Sequence, residues 1–190
     1  MKDEQTNNSI QNYIRAQKFY FLAEQCLNLI QKSMQPVLKE YNLNHSQHLV
    51  LLIMWYSNLS GNEIISTEIA CLLGLEKHSI STIIDTLYKR GLIDRHRNKK
   101  DRRSVNIKLT EKGVALVEAH HPRTMDNISF DSDLTSEDFK FLFTFLESLR
   151  VITARKNNQS PSIYSSAFKK LLLDGQEKYV EKYSKEGFNA

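Results

Sequence analysis

Hydrophobic residues recur at helical spacing along most of the chain, so the pattern predicts a mainly α-helical protein. In residues 9–41 the apolar positions follow a period close to 3.6 residues, which indicates one long helix. Pro36 is expected to kink or interrupt this helix, because proline has no N–H for the helical ladder. The apolar stripe is wide, so the helix is expected to pack on more than one partner. A second helix is predicted over about 46–57.

The middle of the chain has the outline of a helix-turn-helix. Residues 64–65 predict a short strand, and Ser66 is expected to cap a third helix that ends at Gly74. A fourth helix is predicted over about 77–90, and Gly91 is expected to stop it. Two short helices joined by a tight turn that contains glycine are typical of helix-turn-helix motifs.

A β-hairpin is predicted directly after the fourth helix. Residues 92–97 and 104–109 alternate between polar and apolar side chains, and the polar sequence NKKDRR between them forms the predicted tip. Thr110 is a favourable N-cap for a fifth helix, which Pro122 is expected to kink. The order of elements is therefore helix-turn-helix, hairpin and helix.

The last third of the chain also has helical patterning. The sequence TSED at 135–138 fits a capping box, and it starts a strongly aromatic sixth helix. Composition then indicates a linker over 156–162, and the apolar spacing within 163–186 predicts one or two further amphipathic helices.

Positive charge is concentrated in the predicted hairpin. The formal net charge of the 190 residues is only +4, but residues 89–103 contain eight Lys or Arg and two Asp. This window alone has a net charge of +6, so the remainder of the chain is slightly acidic. Such local concentration of cations favours a polyanionic partner.

The arrangement of motifs resembles the MarR family of winged-helix transcriptional regulators. The residues that carry the resemblance are the DxR pair Asp101 and Arg103 in the hairpin and the LTxxG residues Leu109, Thr110 and Gly113 after it. The resemblance implies a mainly α-helical fold with a small β wing, in which two chains pair through their flanking helices. The implied domains are a winged-helix domain over 1–156, with a DNA-binding lobe at about 46–113 and dimerisation helices at about 9–41 and 114–156, and a C-terminal helical extension over 157–190.

The fourth helix is expected to enter the major groove of DNA. Ile80, Ile83, Ile84 and Leu87 form its predicted buried stripe, and short polar side chains occupy the opposite face. A plain solvated face is the alternative, but the position between a helix-turn-helix turn and a basic wing favours DNA. Members of the family often have arginine near the positions of Thr82 and Thr86. This chain has threonine there, so few specific hydrogen bonds to bases are expected from this helix. The candidate contact residues are His78, Ser79, Ser81, Thr82, Asp85 and Lys89.

The wing is expected to supply much of the affinity. By resemblance, Arg103 enters the minor groove and Asp101 holds it in place, which agrees with the negative potential of narrow A·T-rich grooves. The predicted phosphate contacts are Arg95, Arg97, Lys99, Lys100 and Arg102.

A homodimer and an effector are further implications of the resemblance. Two recognition helices related by a two-fold axis predict an inverted-repeat operator, and repression is the usual activity of the family. Many members respond to a small aromatic ligand, although each candidate pocket residue taken alone is better explained as a core or interface residue. The candidates are Tyr13, Phe19, Tyr20, His45, His48 and Trp55.

Other functional classes receive little support. The histidines at 45 and 48 and at 120 and 121 are too few for a confident metal site, and Cys26 is predicted to be a small core residue rather than a peroxide sensor. No nucleotide-binding, metalloprotease or hydrolase motif occurs, so neither an enzyme nor a cofactor is predicted. The alternatives are a winged-helix module for protein–protein contact and a redox- or metal-responsive regulator of the same family. The lack of a signal peptide and of a bilayer-spanning apolar run predicts a cytoplasmic protein.

Overall fold

A computed structural model of the chain describes residues 2–97, 105–128, 134–157, 175 and 177–181. None of the helices in these ranges is long and apolar enough to cross a membrane. The described part is mainly helical, as the sequence predicts, and contains a small antiparallel sheet. Its elements are α1 (Lys2–Glu40), α2 (His45–Leu59), β1 (Ile64–Ile65), α3 (Ser66–Leu73), α4 (Lys77–Lys89), β2 (Ile93–Arg97), β3 (Val105–Leu109), α5 (Glu111–Asp126) and α6 (Ser136–Lys156).

Side-chain caps fix the predicted starts of α5 and α6. The Thr110 hydroxyl accepts the N–H of Gly113 at the start of α5, and Thr135 forms the predicted capping box with Asp138 at the start of α6. The prediction that Ser66 caps α3 is wrong by one residue. Ile65 is the extended N-cap residue, because β1 runs directly into α3, and the Glu68 carboxylate accepts its N–H at 3.0 Å.

Neither proline interrupts its helix, so the break that was one alternative at Pro36 is absent. α1 and α5 run through these residues, and each proline lies about one turn before the helix end. A proline there removes few helical hydrogen bonds, and tertiary contacts hold the final turn. The Arg123 guanidinium, one residue beyond Pro122, binds both carboxylate oxygens of Glu40 at 2.7 and 3.1 Å.

The sheet has the order β1-β3-β2, and both strand pairs are antiparallel. The predicted two-stranded wing therefore has a third strand at its root. Ile107 in the central strand pairs with Ile64 on one side and Arg95 on the other. The predicted wing tip, residues 98–104, lies outside the described residues.

The hydrophobic core is centred on α2 and is covered by α3, α4, α5 and the sheet. The predicted stripe of α4 points into this core, where Ile80, Ile84 and Leu87 are buried and Ile83 is partly buried. Burial of this stripe fixes which face of α4 is directed outward. The other fully buried large side chains include Val50, Leu51, Trp55, Ile69, Leu92, Ile93 and Val117.

The described part of the C-terminal extension packs on the core of its own chain. The Tyr179 ring lies 5.3 Å from that of Trp55 and 5.9 Å from that of His121, measured between ring centroids. Residues 177–181 are helical, within the predicted helical region of 163–186. The remainder of that region, and most of the predicted linker, lie outside the described residues.

Candidate nucleic-acid interface

The outward face of α4 carries the predicted DNA-contacting side chains. His78, Ser81, Thr82, Asp85 and Lys89 are exposed, and Ser79, which was predicted with them, is half-buried. Gly74 ends α3 in the left-handed conformation, with φ of 63°, and thereby forms the tight turn before α4. The burial pattern of α4 and this turn together give the geometry of a helix-turn-helix.

Hydroxyl groups on α4 donate their protons to the helix itself. Ser81 Oγ donates to the carbonyl of Lys77 at 2.9 Å, and Thr82 Oγ1 donates to that of His78 at 3.1 Å. The oxygen lone pairs therefore remain for ligands, so these groups are suited to accept from the amino groups of adenine or cytosine.

Asp85 and Arg95 form an ion pair between α4 and β2. Arg95 was predicted as a phosphate contact and Asp85 as a contact residue of the recognition helix, whereas the structure pairs the two side chains with each other. The Arg95 guanidinium carbon also lies 5.0 Å from the centroid of the Tyr88 ring, which is a cation–π arrangement. Tyr88 is exposed on α4 and is absent from the predicted contact residues. The sequence feature that could have identified Tyr88 is its position: it is a large aromatic residue that lies outside the apolar stripe of α4.

Arg90 belongs to the basic segment but has a structural role. Its guanidinium donates to the carbonyl oxygens of Asn42 at 2.7 Å and Tyr41 at 2.9 Å, in the turn after α1. These carbonyls lie at a helix end, where they have no helical partners. One of the eight cations between residues 89 and 103 thus holds α1 against the end of α4.

The LTxxG motif fastens the start of α5 to the end of the recognition helix. Thr110 donates from its N–H to the Leu92 carbonyl at 3.1 Å and from its hydroxyl to the Gly91 carbonyl at 2.8 Å. Lys112 Nζ donates to the Arg90 carbonyl at 2.9 Å. Three consecutive carbonyls after α4 are therefore bound by the first turn of α5, so the motif sets the position of α4.

Most of the predicted wing contacts lie beyond the described residues. Arg97 is the last described residue of β2, and only its backbone is described. The sequence predictions for the tip residues Lys99, Lys100, Asp101, Arg102 and Arg103 therefore stay predictions. At the root of the wing, Lys108 forms a 3.0 Å ion pair with Glu63, which also accepts from Asn106 at 2.6 Å.

The predicted ligand-pocket residues fall into two environments. Tyr13 and Tyr20 are 66% and 59% exposed on α1, whereas His48 and Trp55 are each 1% exposed inside the core. His45 is half-buried beside His48. Within one chain these side chains therefore do not line a common enclosed space.

A buried histidine cluster joins α2 to α5. His48 Nδ1 lies 2.9 Å from His120 Nε2, and His120 Nδ1 lies 2.6 Å from the Leu116 carbonyl. A carbonyl only accepts, so His120 carries its proton on Nδ1 and accepts from His48 Nδ1–H. Among the described residues, no hydrogen-bond donor reaches the buried lone pair that His48 Nε2 then carries. Nearby, His121 Nε2 lies 3.3 Å from the Tyr56 hydroxyl.

Burial keeps these histidines neutral. Desolvation lowers the pKa of His48 to about 3, with a further contribution from the neighbouring histidines, and lowers that of His121 to about 4. Among the described residues, no group of three or more His, Cys, Asp or Glu side chains is arranged to hold a metal ion.

Cys26 is exposed, so its prediction as a small core residue is wrong for the single chain. It lies on the part of α1 that extends beyond the core, where the sequence pattern still shows an apolar stripe. Periodicity identifies the apolar face of a helix, but it does not indicate whether the same chain covers that face.

The fold and this surface define a winged helix-turn-helix DNA-binding protein. The family model described as transcriptional regulator SarA/Rot matches residues 32–120. The organic hydroperoxide resistance transcriptional regulator of Bacillus subtilis (strain 168) is 31% identical over 121 residues, which cover 62% of this chain and 80% of that protein. The HTH-type transcriptional regulator MgrA of Staphylococcus aureus is 30% identical over 106 residues, covering 56% and 69%.

Solved structures share the fold. A MarR mutant from E. coli complexed with operator DNA superposes with a TM-score of 0.57 at 21% identity, covering 67% of this chain and 90% of that chain. CouR from Rhodococcus jostii bound to p-coumaroyl-CoA gives 0.62 at 20% identity, covering 69% and 90%. The chain belongs to the MarR family of winged helix-turn-helix proteins, which are DNA-binding transcriptional regulators rather than enzymes.

Proposed function

We propose that the protein is a homodimeric repressor that binds an inverted-repeat operator in double-stranded DNA. The observation that carries this proposal is the exposed polar face of α4, held between the Gly74 turn and the basic wing. The E. coli MarR structure with operator DNA is consistent with such a target. A cytoplasmic location follows from the same proposal.

The proposed contacts divide into base and phosphate contacts. Side chains on α4 read base edges in the major groove, and Arg103, braced by Asp101, enters the minor groove. The proposed base contacts are His78, Ser79, Ser81 and Thr82, and the proposed phosphate contacts are Lys89, Arg95, Arg97, Lys99, Lys100 and Arg102. Because phosphate contacts dominate this set, affinity should fall steeply as salt is raised.

The substitution Arg103→Ala is expected to lower DNA affinity by about 1–3 kcal/mol, the usual range for a specific arginine contact. Fluorescence anisotropy at physiological salt measures this loss on a duplex that the protein has selected from a random-sequence library. Arg102→Ala is the matched control, because a phosphate contact should weaken binding to selected and unselected duplexes alike. Unchanged affinity for Arg103→Ala would reject the minor-groove assignment.

The dimer is supported by apolar side chains that α1 and α6 leave exposed. Phe19 of α1 contacts Phe145 of α6, with ring centroids 5.8 Å apart, so the two helices present one surface. Single exposed apolar residues are normal, but a cluster of this extent marks an association site. The exposed apolar side chains of the two helices are Ile10, Tyr13, Ile14, Phe19, Tyr20, Phe21, Leu22, Leu27, Leu29, Phe141, Leu142, Phe143, Phe145, Leu146 and Ile152.

Sedimentation equilibrium at micromolar concentration is expected to give twice the chain mass of 22.1 kDa. Two recognition helices would then reach half-sites about 34 Å apart, one turn of DNA. The Phe143→Asp variant, which places a charge on the exposed cluster, should sediment as a monomer, whereas Lys140→Asp on the same helix should not. A stable wild-type species of 22.1 kDa would contradict the dimer.

An effector is a second part of the proposal. An open cleft of about 670 Å³ lies between α6 and the residues before α4, and Glu76 and Leu149 are among its lining residues. A ligand there would contact the turn that precedes the recognition helix and α6, a proposed dimerisation helix. Because CouR was solved with p-coumaroyl-CoA, this compound is a suitable first probe. Release of a bound duplex on its addition would support regulation by an aromatic ligand, and unchanged binding would exclude this compound.

A further inference from the structure

An acidic side chain occupies the face of the recognition helix that is proposed to meet DNA. Asp85 is exposed on α4, and an isolated carboxylate in this position would repel the phosphate backbone. Its partner is Arg95, which comes from β2 and also lies over the ring of Tyr88. These three residues form what we call the wing brace.

The wing brace connects two elements that both face the proposed DNA site. Asp85 and Tyr88 are three residues apart on α4 and therefore share one side of the helix. Arg95 lies in the middle of β2, where its backbone partner Ile107 is buried. The arginine backbone is therefore fixed by the sheet, and its guanidinium is fixed by α4.

Both charged groups of the brace remain accessible to a ligand. The side chains of Arg95 and Asp85 are 34% and 54% exposed. A guanidinium has five N–H donors, and a carboxylate together with an aromatic face leaves some of them unused. An arginine held in this way can bind a phosphate oxygen without first losing its side-chain freedom.

We propose that Asp85 is a positioning residue of the DNA interface: with Tyr88, it holds Arg95 in the orientation that binds a backbone phosphate next to the recognition helix. This inference rests on the proposed function. According to this inference, the acid Asp85 increases affinity for DNA, whereas its charge considered alone would decrease that affinity.

Magnitudes decide which of the two effects dominates. A carboxylate about 10 Å from a phosphate in water weakens binding only about twofold, and salt reduces this further. Immobilising a free arginine side chain costs up to about tenfold in affinity. Loss of the brace should therefore outweigh relief of the repulsion, so removing the acid should weaken binding.

The test compares Asp85→Asn with Asp94→Asn on a duplex that the wild-type chain has selected from a random library. Asp94 is a matched control, since it is an exposed acid on the same strand as Arg95 and is not part of the wing brace. We expect Asp85→Asn to bind about fivefold more weakly and Asp94→Asn to bind equally or slightly more tightly. The magnitude of the salt slope should fall by about one for Asp85→Asn only, as one phosphate contact is lost.

A second background separates positioning from general stability. In Arg95→Gln protein, the additional Asp85→Asn change should cause no further loss of affinity, because the group it positions is absent. Tighter or unchanged binding by Asp85→Asn, or an equal loss in both backgrounds, would overturn the inference. If the wild-type chain selects no duplex, the proposed function fails as well. If the wild-type chain selects a duplex but Asp85→Asn gives one of these contradicting results, only the inference about Asp85 is refuted, and the proposed function stands.

Discussion

Replacing Gly113 with alanine is expected to destabilise the protein by about 3 kcal/mol, the upper end of the usual range for a group forced into a packed site. Gly113 is buried in the first turn of α5. A Cβ built on it would overlap the carbonyl oxygen of Leu92 and lie 3.1 Å from a methyl carbon of Leu109. The overlapping atom belongs to the backbone, so a change of side-chain rotamer cannot relieve the clash.

The clash also acts on the recognition helix. The Leu92 carbonyl accepts the N–H of Thr110, and together they hold the start of α5 against the end of α4. Shifting Leu92 to admit a methyl group would break this contact and move the exit of α4. We therefore expect Gly113→Ala to lose DNA affinity even under conditions where it remains folded.

Urea unfolding followed by circular dichroism measures the loss of stability, and anisotropy measures DNA binding. Glu111→Ala is a suitable control, because Glu111 is exposed in the same turn of α5 and alanine favours helices. The control should remain close to the wild type in both measurements. If Gly113→Ala unfolded at the same urea midpoint as the wild type, the backbone would have space for the added methyl group, and the predicted clash with Leu92 would be wrong.

Lowering the pH from 6.5 to 5 is expected to reduce the free energy of unfolding by about 3 kcal/mol. The pKa values of His48 and His121 fall from the ordinary 6.5 to about 3 and about 4 in the folded protein. Below pH 6.5 the unfolded chain therefore binds protons that the folded chain excludes. The stabilisation is complete well above pH 6.5. It falls as the pH decreases, and for each histidine the slope approaches about 1.4 kcal/mol per pH unit well below 6.5.

Among the described residues, the neighbours of these histidines do not supply a compensating charge. His48 faces His120 and His45, and His121 faces Tyr56 and Tyr179. Desolvation also lowers the pKa of His120 and of His45, so protonation is disfavoured throughout the cluster. Carboxyl groups with lowered pKa, such as Glu40, titrate below about 4.5 and act outside this window.

Urea unfolding at fixed protein concentration and several pH values between 5 and 7 tests this expectation. His48→Gln keeps a side-chain amide that can donate to His120, and it should reduce the pH slope by about 1.4 kcal/mol per unit. His78→Gln, on the exposed face of α4, should leave the slope unchanged. A flat profile for the wild type between pH 6.5 and 5 would contradict neutral burial of the cluster.

Local sequence signals were sufficient for most of the fold. The apolar stripe of α4, the glycine at its preceding turn and the caps at Thr110 and Thr135 depend on residues within one or two turns of each other. The structure confirms these predictions. The error at Ser66 arose because a neighbouring strand determined the helix boundary.

The candidate site was only partly predictable. Exposure of Thr82 and Lys89 followed from the period of α4, but the pairing of Asp85 with Arg95 did not. The count of positive charges in the sequence did not distinguish Arg90 from Arg95. In the structure, Arg90 binds the backbone carbonyls of Tyr41 and Asn42, whereas Arg95 binds the carboxylate of Asp85 on α4. The predicted pocket residues are likewise separated between the exposed surface of α1 and the core.

The sequence by itself determined the order of the elements, the buried face of each short helix and the accumulation of positive charge in the wing. These properties depend on side-chain periodicity, caps and composition, which act over a few residues. Only the tertiary structure decided that Asp85 supports Arg95, that the LTxxG residues bind the end of α4, and that four histidines meet between α2 and α5. Each of these contacts joins separate elements, and its geometry depends on how the buried faces pack rather than on the spacing of residues along the chain.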